Sequence, residues 1–175
     1  MPSRLHPIVS ISCGPTAVCA VTGATSALAC EKMMEAVDFD TERPSHLNNS
    51  AFRHQVRAIE MFGFEIRNAD GSSFDASAAP MNPAVDLATY NAVPTVVDFV
   101  NSNELNDVVI CYAARLGTGE SHTFAADGWS FFDNNTGGVV VDASGIHPQI
   151  RDMKVIKVLR VRPRPPEAAS GSTGT

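Results

Sequence analysis

The chain has 175 residues, 44% of them hydrophobic and 18% charged, enough for one domain with a buried core. A net charge of −6 leaves no electrostatic footprint for nucleic acid or an anionic membrane. The four cysteines (Cys13, Cys19, Cys30 and Cys111) form neither a C-x-x-C motif nor a Cys/His zinc spacing, so no metal or other cofactor is expected.

The apolar, helix-like or strand-like settings of these thiols fit a reducing compartment. Ile8 to Ile11 is too short for a secretory apolar region, and no apolar run approaches membrane-spanning length. A cytoplasmic protein without membrane association is the expectation.

In chain order, residues 1–12 read as an extended lead-in. From Cys13, the residues Ala17, Val18, Val21, Ala24, Thr25 and Leu28 recur at helical spacing. Ser12 is a candidate N-cap and Pro15 suits a first turn. The small residues of this segment (Ala17, Ala20, Gly23, Ala24, Ala27 and Ala29) suit a buried helix, with a further helical piece over 31–38. A polar loop over 41–49 follows. The pattern then predicts a helix over 50–62 stopping at Gly63, and a short strand over 64–66. Residues 68–82 are a loop. Prolines are expected to open helices over 83–90 and 94–100.

Strands follow over 108–113, on both arms of a hairpin around Asp127-Gly128, over 139–141, and over 154–161. The fold class is therefore α+β, with helices first and an antiparallel sheet last. One domain is expected over 1–162, with a Pro/Ser/Gly-rich disordered tail over 163–175.

Two segments carry chemistry. Ser12-Cys13-Gly14-Pro15-Thr16-Ala17 puts a thiol at a helix mouth, where unpaired N–H groups and partial positive charge favour the thiolate. The hairpin Ser121-His122-Thr123-Phe124-Ala125-Ala126-Asp127-Gly128-Trp129-Ser130-Phe131-Phe132-Asp133 supplies an imidazole and a carboxylate. With Asp127-Gly128 as a two-residue loop, Ala126 pairs with Trp129, Phe124 with Phe131, and His122 with Asp133. Cys13 is then the nucleophile, His122 the general base and acid, Asp133 the orienting group, and the Cys13 N–H an oxyanion donor. Trp129 with Phe124 and Phe131 would cover the His–Asp contact, or simply pack the hairpin. Asp127 is explained by the turn, and Asn134 replaces Asp133 only if the turn is one residue longer. Cys19, Cys30 and Cys111 are read as inert. His46, His54 and His147 are given no role, and the spacing of His46, Glu42 and Asp38 is not distinctive of a metal site.

Cys-Gly-Pro-Thr-Ala opening an apolar helix resembles the nucleophile segment of papain-like cysteine peptidases, especially bacteriocin-leader peptidases. Ser-His-Thr-Phe-Ala followed by Phe-Phe-Asp-Asn-Asn-Thr-Gly-Gly is similar to the His and Asp segments of YopT-like effector proteases. The resemblance covers residues 12–22 and 107–138. It implies a papain-like fold, cleavage of a peptide or protein amide through a Cys13 acyl-enzyme, and delivery into a host cell as an alternative location. Ser12, Gly14, Asn134 and Trp129 are the supporting positions. Asn134 stands where the effector family has proline. No Gln or Asn precedes Cys13 to complete an oxyanion hole, leaving His6, Ser10 and Ser12 as nearby candidates. Two other readings are a deamidase, transglutaminase or peptidoglycan amidase on the same scaffold, and an inert papain-like binding domain.

Overall fold

The computed structural model describes residues 2–9, 12–38 and 51–165. Helix α1 (Cys13–Thr22) buries Gly14 to Val21 without a break, because small side chains let its neighbours approach from every side. It stops at Gly23, whose φ of 75° is the left-handed conformation that closes helices, with its N–H on the Cys19 carbonyl at 2.8 Å. The helical spacing predicted continuation to Leu28. Instead α2 (Ser26–Asp38) leaves at 110° to α1, and Cys30 lies within it rather than at a helix end. A Cβ at position 23 would sit 3.3 Å from the His6 ring, so the break also seats the lead-in segment.

Helix α3 (Phe52–Met61) ends ahead of Gly63 as expected, and β1 (Phe64–Asn68) follows. The next two helices start later than their prolines suggested. Helix α4 (Leu87–Ala92) is capped by the Asp86 carboxylate, which accepts from the Thr89 N–H; α5 (Val96–Ser102) is capped by Thr95, which accepts from the Asp98 N–H. Side-chain caps, which satisfy orphan donors, set these boundaries in place of the prolines.

Strands β2 (Val108–Ala114), β3 (Ser121–Asp127), β4 (Ser130–Phe132) and β5 (Lys154–Pro163) join β1 in an antiparallel sheet ordered β1-β5-β2-β3-β4. The last strand thus runs to Pro163, past the expected start of the tail; residues 166–175 and the loop over 41–49 lie outside the described residues. The strand expected over 139–141 shrinks to one bridge, Phe131 to Val141. A 3-10 turn (Ala143–Gly145) and α6 (Pro148–Arg151) lie between β4 and β5, and His147 caps α6.

Both faces of the sheet are covered, so helices do not simply precede strands. One face packs Ile110, Phe132 and Leu159 against Val18, Met33 and Ile59 of the first three helices. The other packs Val109, Phe124 and Phe131 under Val96 and Val100 of α5 and Ile150 of α6. Strand β2 is accordingly buried along its whole length. Among the described residues no single helix is long and apolar enough to cross a membrane.

Asp127 does more than shape a turn. It is the last residue of β3, and its carboxylate accepts from the Arg4 backbone N–H and from Arg4 Nη2, each at 2.6 Å. Arg4 Nη2 also donates to the Asn106 carbonyl at 2.9 Å. The lead-in to Cys13 is thereby fastened to the hairpin that carries His122.

Candidate active site

The hairpin closes one residue later than expected. Asp127 pairs with Ser130, Ala126 with Phe131 and Ala125 with Phe132, so the loop is Gly128-Trp129. Gly128 has φ 58° and no non-glycine residue among the described residues has positive φ, which is the pattern of a type II′ turn with glycine first. Moving the loop by one residue moves every cross-strand partner by two. The faces are therefore kept, and His122 and Asp133 become diagonal neighbours instead of a directly opposed pair. They still meet: His122 Nε2 lies 2.8 Å from Asp133 Oδ2. Phe124 and Phe131 likewise pack on the diagonal, ring centroids 5.0 Å apart.

Strand β4 pairs with Asp127, Ala126 and Ala125 and then ends, leaving the outer edge of β3 open at Thr123. Counting back from the closing pair, Ala125 and Thr123 aim their backbone groups away from β2. The Thr123 N–H and the Gly14 N–H at the head of α1 face the Cys13 sulfur closely enough to favour its thiolate. The imidazole of His122 stands close enough to the same sulfur for each to shift the other toward its charged form. Nε2 faces Asp133, so Nδ1 is left for the thiol.

Asp133 is fully buried and is braced by Asn135, whose backbone N–H donates to Oδ1 at 2.9 Å and whose Nδ2 donates to Oδ2 at 3.3 Å. Thr136 Oγ1 donates to the Asp133 carbonyl at 2.8 Å. Burial pulls the His122 pKa down, but the hydrogen bonds and charges of Asp133 and Cys13 push it up to about 9. Burial raises the Cys13 thiol, yet His122 and the two backbone donors bring it below the ordinary value. Both shifts favour a thiolate–imidazolium pair at neutral pH. By contrast, burial pushes Cys19 up to about 11 and Cys111 well above the usual range.

The supporting positions divide. Gly14 is at the sulfur. Ser12 is buried, makes no capping bond with its side chain, and accepts the Thr16 N–H and hydroxyl on its carbonyl. Asn134 stands next to Asp133 but does not bond to it; its neighbour Asn135 does that work. Trp129 does not shield the His–Asp contact, because the shifted loop carries it to the turn tip, where it is 72% exposed. His6 packs by Gly23 at the far end of α1 and is no oxyanion donor; Ser10 and His46 lie outside the described residues. Sequence reasoning missed Asn135 and Thr123. The Asp-x-Asn spacing was the available signal for Asn135, since a carboxylate readily accepts the N–H two residues on. Thr123 follows only from knowing where β4 stops.

The loop after Asp133 abuts the lead-in before Cys13. Gly138 has φ 81°, and a Cβ there would lie 2.8 Å from Val9 Cγ2; Gly137 has φ 65° but nothing within 4 Å. Gly138→Ala is expected to cost about 1–2 kcal/mol, a fall in Tm of about 3–8 °C, and more than Gly137→Ala. Thermal melts followed by circular dichroism compare the two; equal effects would mean that the contact with Val9 does not constrain the loop.

A groove of about 480 Å³ opens beside His122, lined by Arg115, Glu120, Ser121, Gln149, Ile150 and Met153. Among the described residues no group of three His, Cys, Asp or Glu side chains is placed to hold a metal ion. No protein-family model matches the chain, and no curated protein or solved structure is significantly similar to it.

Proposed function

We propose that this protein is a papain-like thiol hydrolase that cleaves the amide bond of a peptide or protein through an acyl-enzyme on Cys13. The observation that carries the reading is the convergence of Cys13, His122 and Asp133: a sulfur beside an imidazole whose far nitrogen is held at 2.8 Å by a buried carboxylate. His122 takes the Cys13 proton, and the thiolate forms a C–S bond to the substrate carbonyl carbon. The oxygen of the tetrahedral adduct takes the negative charge and faces the Cys13 N–H in the first turn of α1, where helix N–H groups lack intrahelical partners. As the C–N bond breaks, His122 returns the proton to the departing amine, which must lie over the imidazole. The groove beside His122 suits that half of the substrate. Water, deprotonated by the same imidazole, then splits the thioester and restores the thiol.

Iodoacetamide at pH 6, with tryptic mapping by mass spectrometry, tests the central claim. Cys13 is expected to be alkylated at least about tenfold faster than half-buried Cys30, and Cys19 and Cys111 to stay unlabelled. Equal labelling of Cys13 and Cys30 would remove the nucleophile. With a peptide library as substrate, mass spectrometry then separates backbone scission from release of ammonia at glutamine, the product of a deamidase or transglutaminase on this scaffold.

A further inference from the structure

A second cavity, of about 270 Å³, lies on the α1 side of the sheet. Its walls are Phe52 at the head of α3, Phe74, Pro80 and Pro83 of the loop between β1 and α4, and Ile156 of β5. The charged groups on its rim are already engaged. Lys157 Nζ donates to Asn68 Oδ1 at 2.8 Å and lies 5.2 Å from the centre of the Phe74 ring. Arg53 Nη1 donates to the Ala79 carbonyl at 2.6 Å. The loop is pinned to α3, since Phe52 N–H donates to Asn82 Oδ1 at 2.9 Å and Arg53 N–H to the Met81 carbonyl at 3.0 Å. The walls are thus preformed and apolar, and a cavity of roughly 150 Å³ already admits a benzene ring.

The sheet register fixes where this cavity stands. Thr123, whose N–H faces the Cys13 sulfur, pairs with Tyr112 of β2, and Tyr112 pairs with Lys157 of β5. Tyr112 packs on Phe52, ring centroids 5.5 Å apart, so the head of α3 lies at the same end of the sheet as the head of α1. Two strand spacings, about 10 Å, separate Thr123 from the β5 wall of the cavity, and the sulfur lies about 3–4 Å further out, beyond the open edge of β3. An extended peptide covers that in about four residues. The departing amine belongs on the His122 side, over the opposite face, which leaves this side to the acyl half of the substrate.

We infer that this cavity is the specificity pocket for the acyl half, taking one bulky aromatic or aliphatic side chain about four residues before the bond that is cut. The inference rests on the hydrolase reading above and names its substrate class: peptides with a large apolar residue upstream.

The probes are tetrapeptidyl chloromethyl ketones with Phe, Ala or Glu placed in turn at each of the four positions, with iodoacetamide as a probe that has no acyl segment. The rate of Cys13 alkylation is read by mass spectrometry. Phe at the fourth position from the reactive carbonyl is expected to react about tenfold or more faster than Ala. Ala84→Trp, at an exposed rim position, should reduce that preference to about twofold or less while leaving iodoacetamide labelling unchanged; Ala79→Phe is the second filling variant. Normal iodoacetamide labelling with a flat peptide profile, or a preference that survives both fillings, overturns the pocket alone. Failure of iodoacetamide to favour Cys13 in the parent protein overturns the thiol chemistry and the pocket together.

Discussion

Replacing Cys13 by serine, or His122 by glutamine, is expected to lower turnover of any peptide substrate by about 10³-fold or more, with the fold intact. Members of a nucleophile–base unit act together, so removing either removes most of the gain. Serine keeps the shape at the head of α1 but has no thiolate to offer. Glutamine at 122 is chosen over alanine because Asp133 is fully buried and bonded to His122 Nε2. Leaving that carboxylate without its partner would cost about 3–5 kcal/mol and confuse loss of chemistry with loss of structure. The same variant separates thiolate formation from the rest of the cycle. An ordinary thiol with a pKa near 8.5 is only about 0.3% ionised at pH 6. After the lower nucleophilicity of a stabilised thiolate is set against its abundance, alkylation of Cys13 at pH 6 is expected to slow at least about tenfold in His122→Gln. Circular dichroism and peptide mapping check both halves; unchanged alkylation in a folded His122→Gln protein would rule out the imidazole as activator.

Asp133→Asn should move the upper pH limit of activity. His122 must stay protonated for the ion pair to persist, and its pKa is pushed up to about 9 against the cost of burial, with the Asp133 hydrogen bond the leading upward contribution. In the parent protein, kcat/KM is therefore expected to hold through neutral pH and fall as pH rises through about 9, where the pair loses its proton. Asparagine keeps an acceptor for Nε2 but removes the negative charge. The His122 pKa then drops, and the descending limb moves to lower pH. Turnover at pH 8 should fall about 10- to 100-fold while activity near pH 6 is better preserved. A descending limb that stays near pH 9 in Asp133→Asn would show that the carboxylate does not set the imidazole's charge.

The convergence of Cys13, His122 and Asp133 was legible because local rules govern each. The Ser12–Ala17 segment announces a helix head, and alternation along β3 and β4 fixes which face His122 and Asp133 share. The exact partner was not legible. Asp-Gly and Gly-Trp are both acceptable two-residue loops; with the second, Asp127 ends β3 and is clasped by Arg4, 123 residues away in sequence. The error was harmless because a one-residue move of the loop shifts partners in steps of two. Other features required tertiary information. Gly23 sits inside an uninterrupted small-residue pattern, and only its positive φ against His6 makes it a stop. The pairing of β1 with β5 joins segments nearly a hundred residues apart, which no window of sequence displays. The open edge at Thr123 and the cavity beside Phe52 exist only once β4 has ended and the loop before α4 has folded back on α3.

The placement of Trp129 has a practical consequence. It is the chain's single tryptophan, and it stands in solvent at the hairpin tip, bordering a shallow depression with Asn101, Asp142 and Ser144. Its indole is already mostly exposed in the native protein, so emission wavelength is a poor gauge of unfolding here. A dye or spin label at this position would instead report on solution encounters at the turn while leaving the core and the sulfur undisturbed.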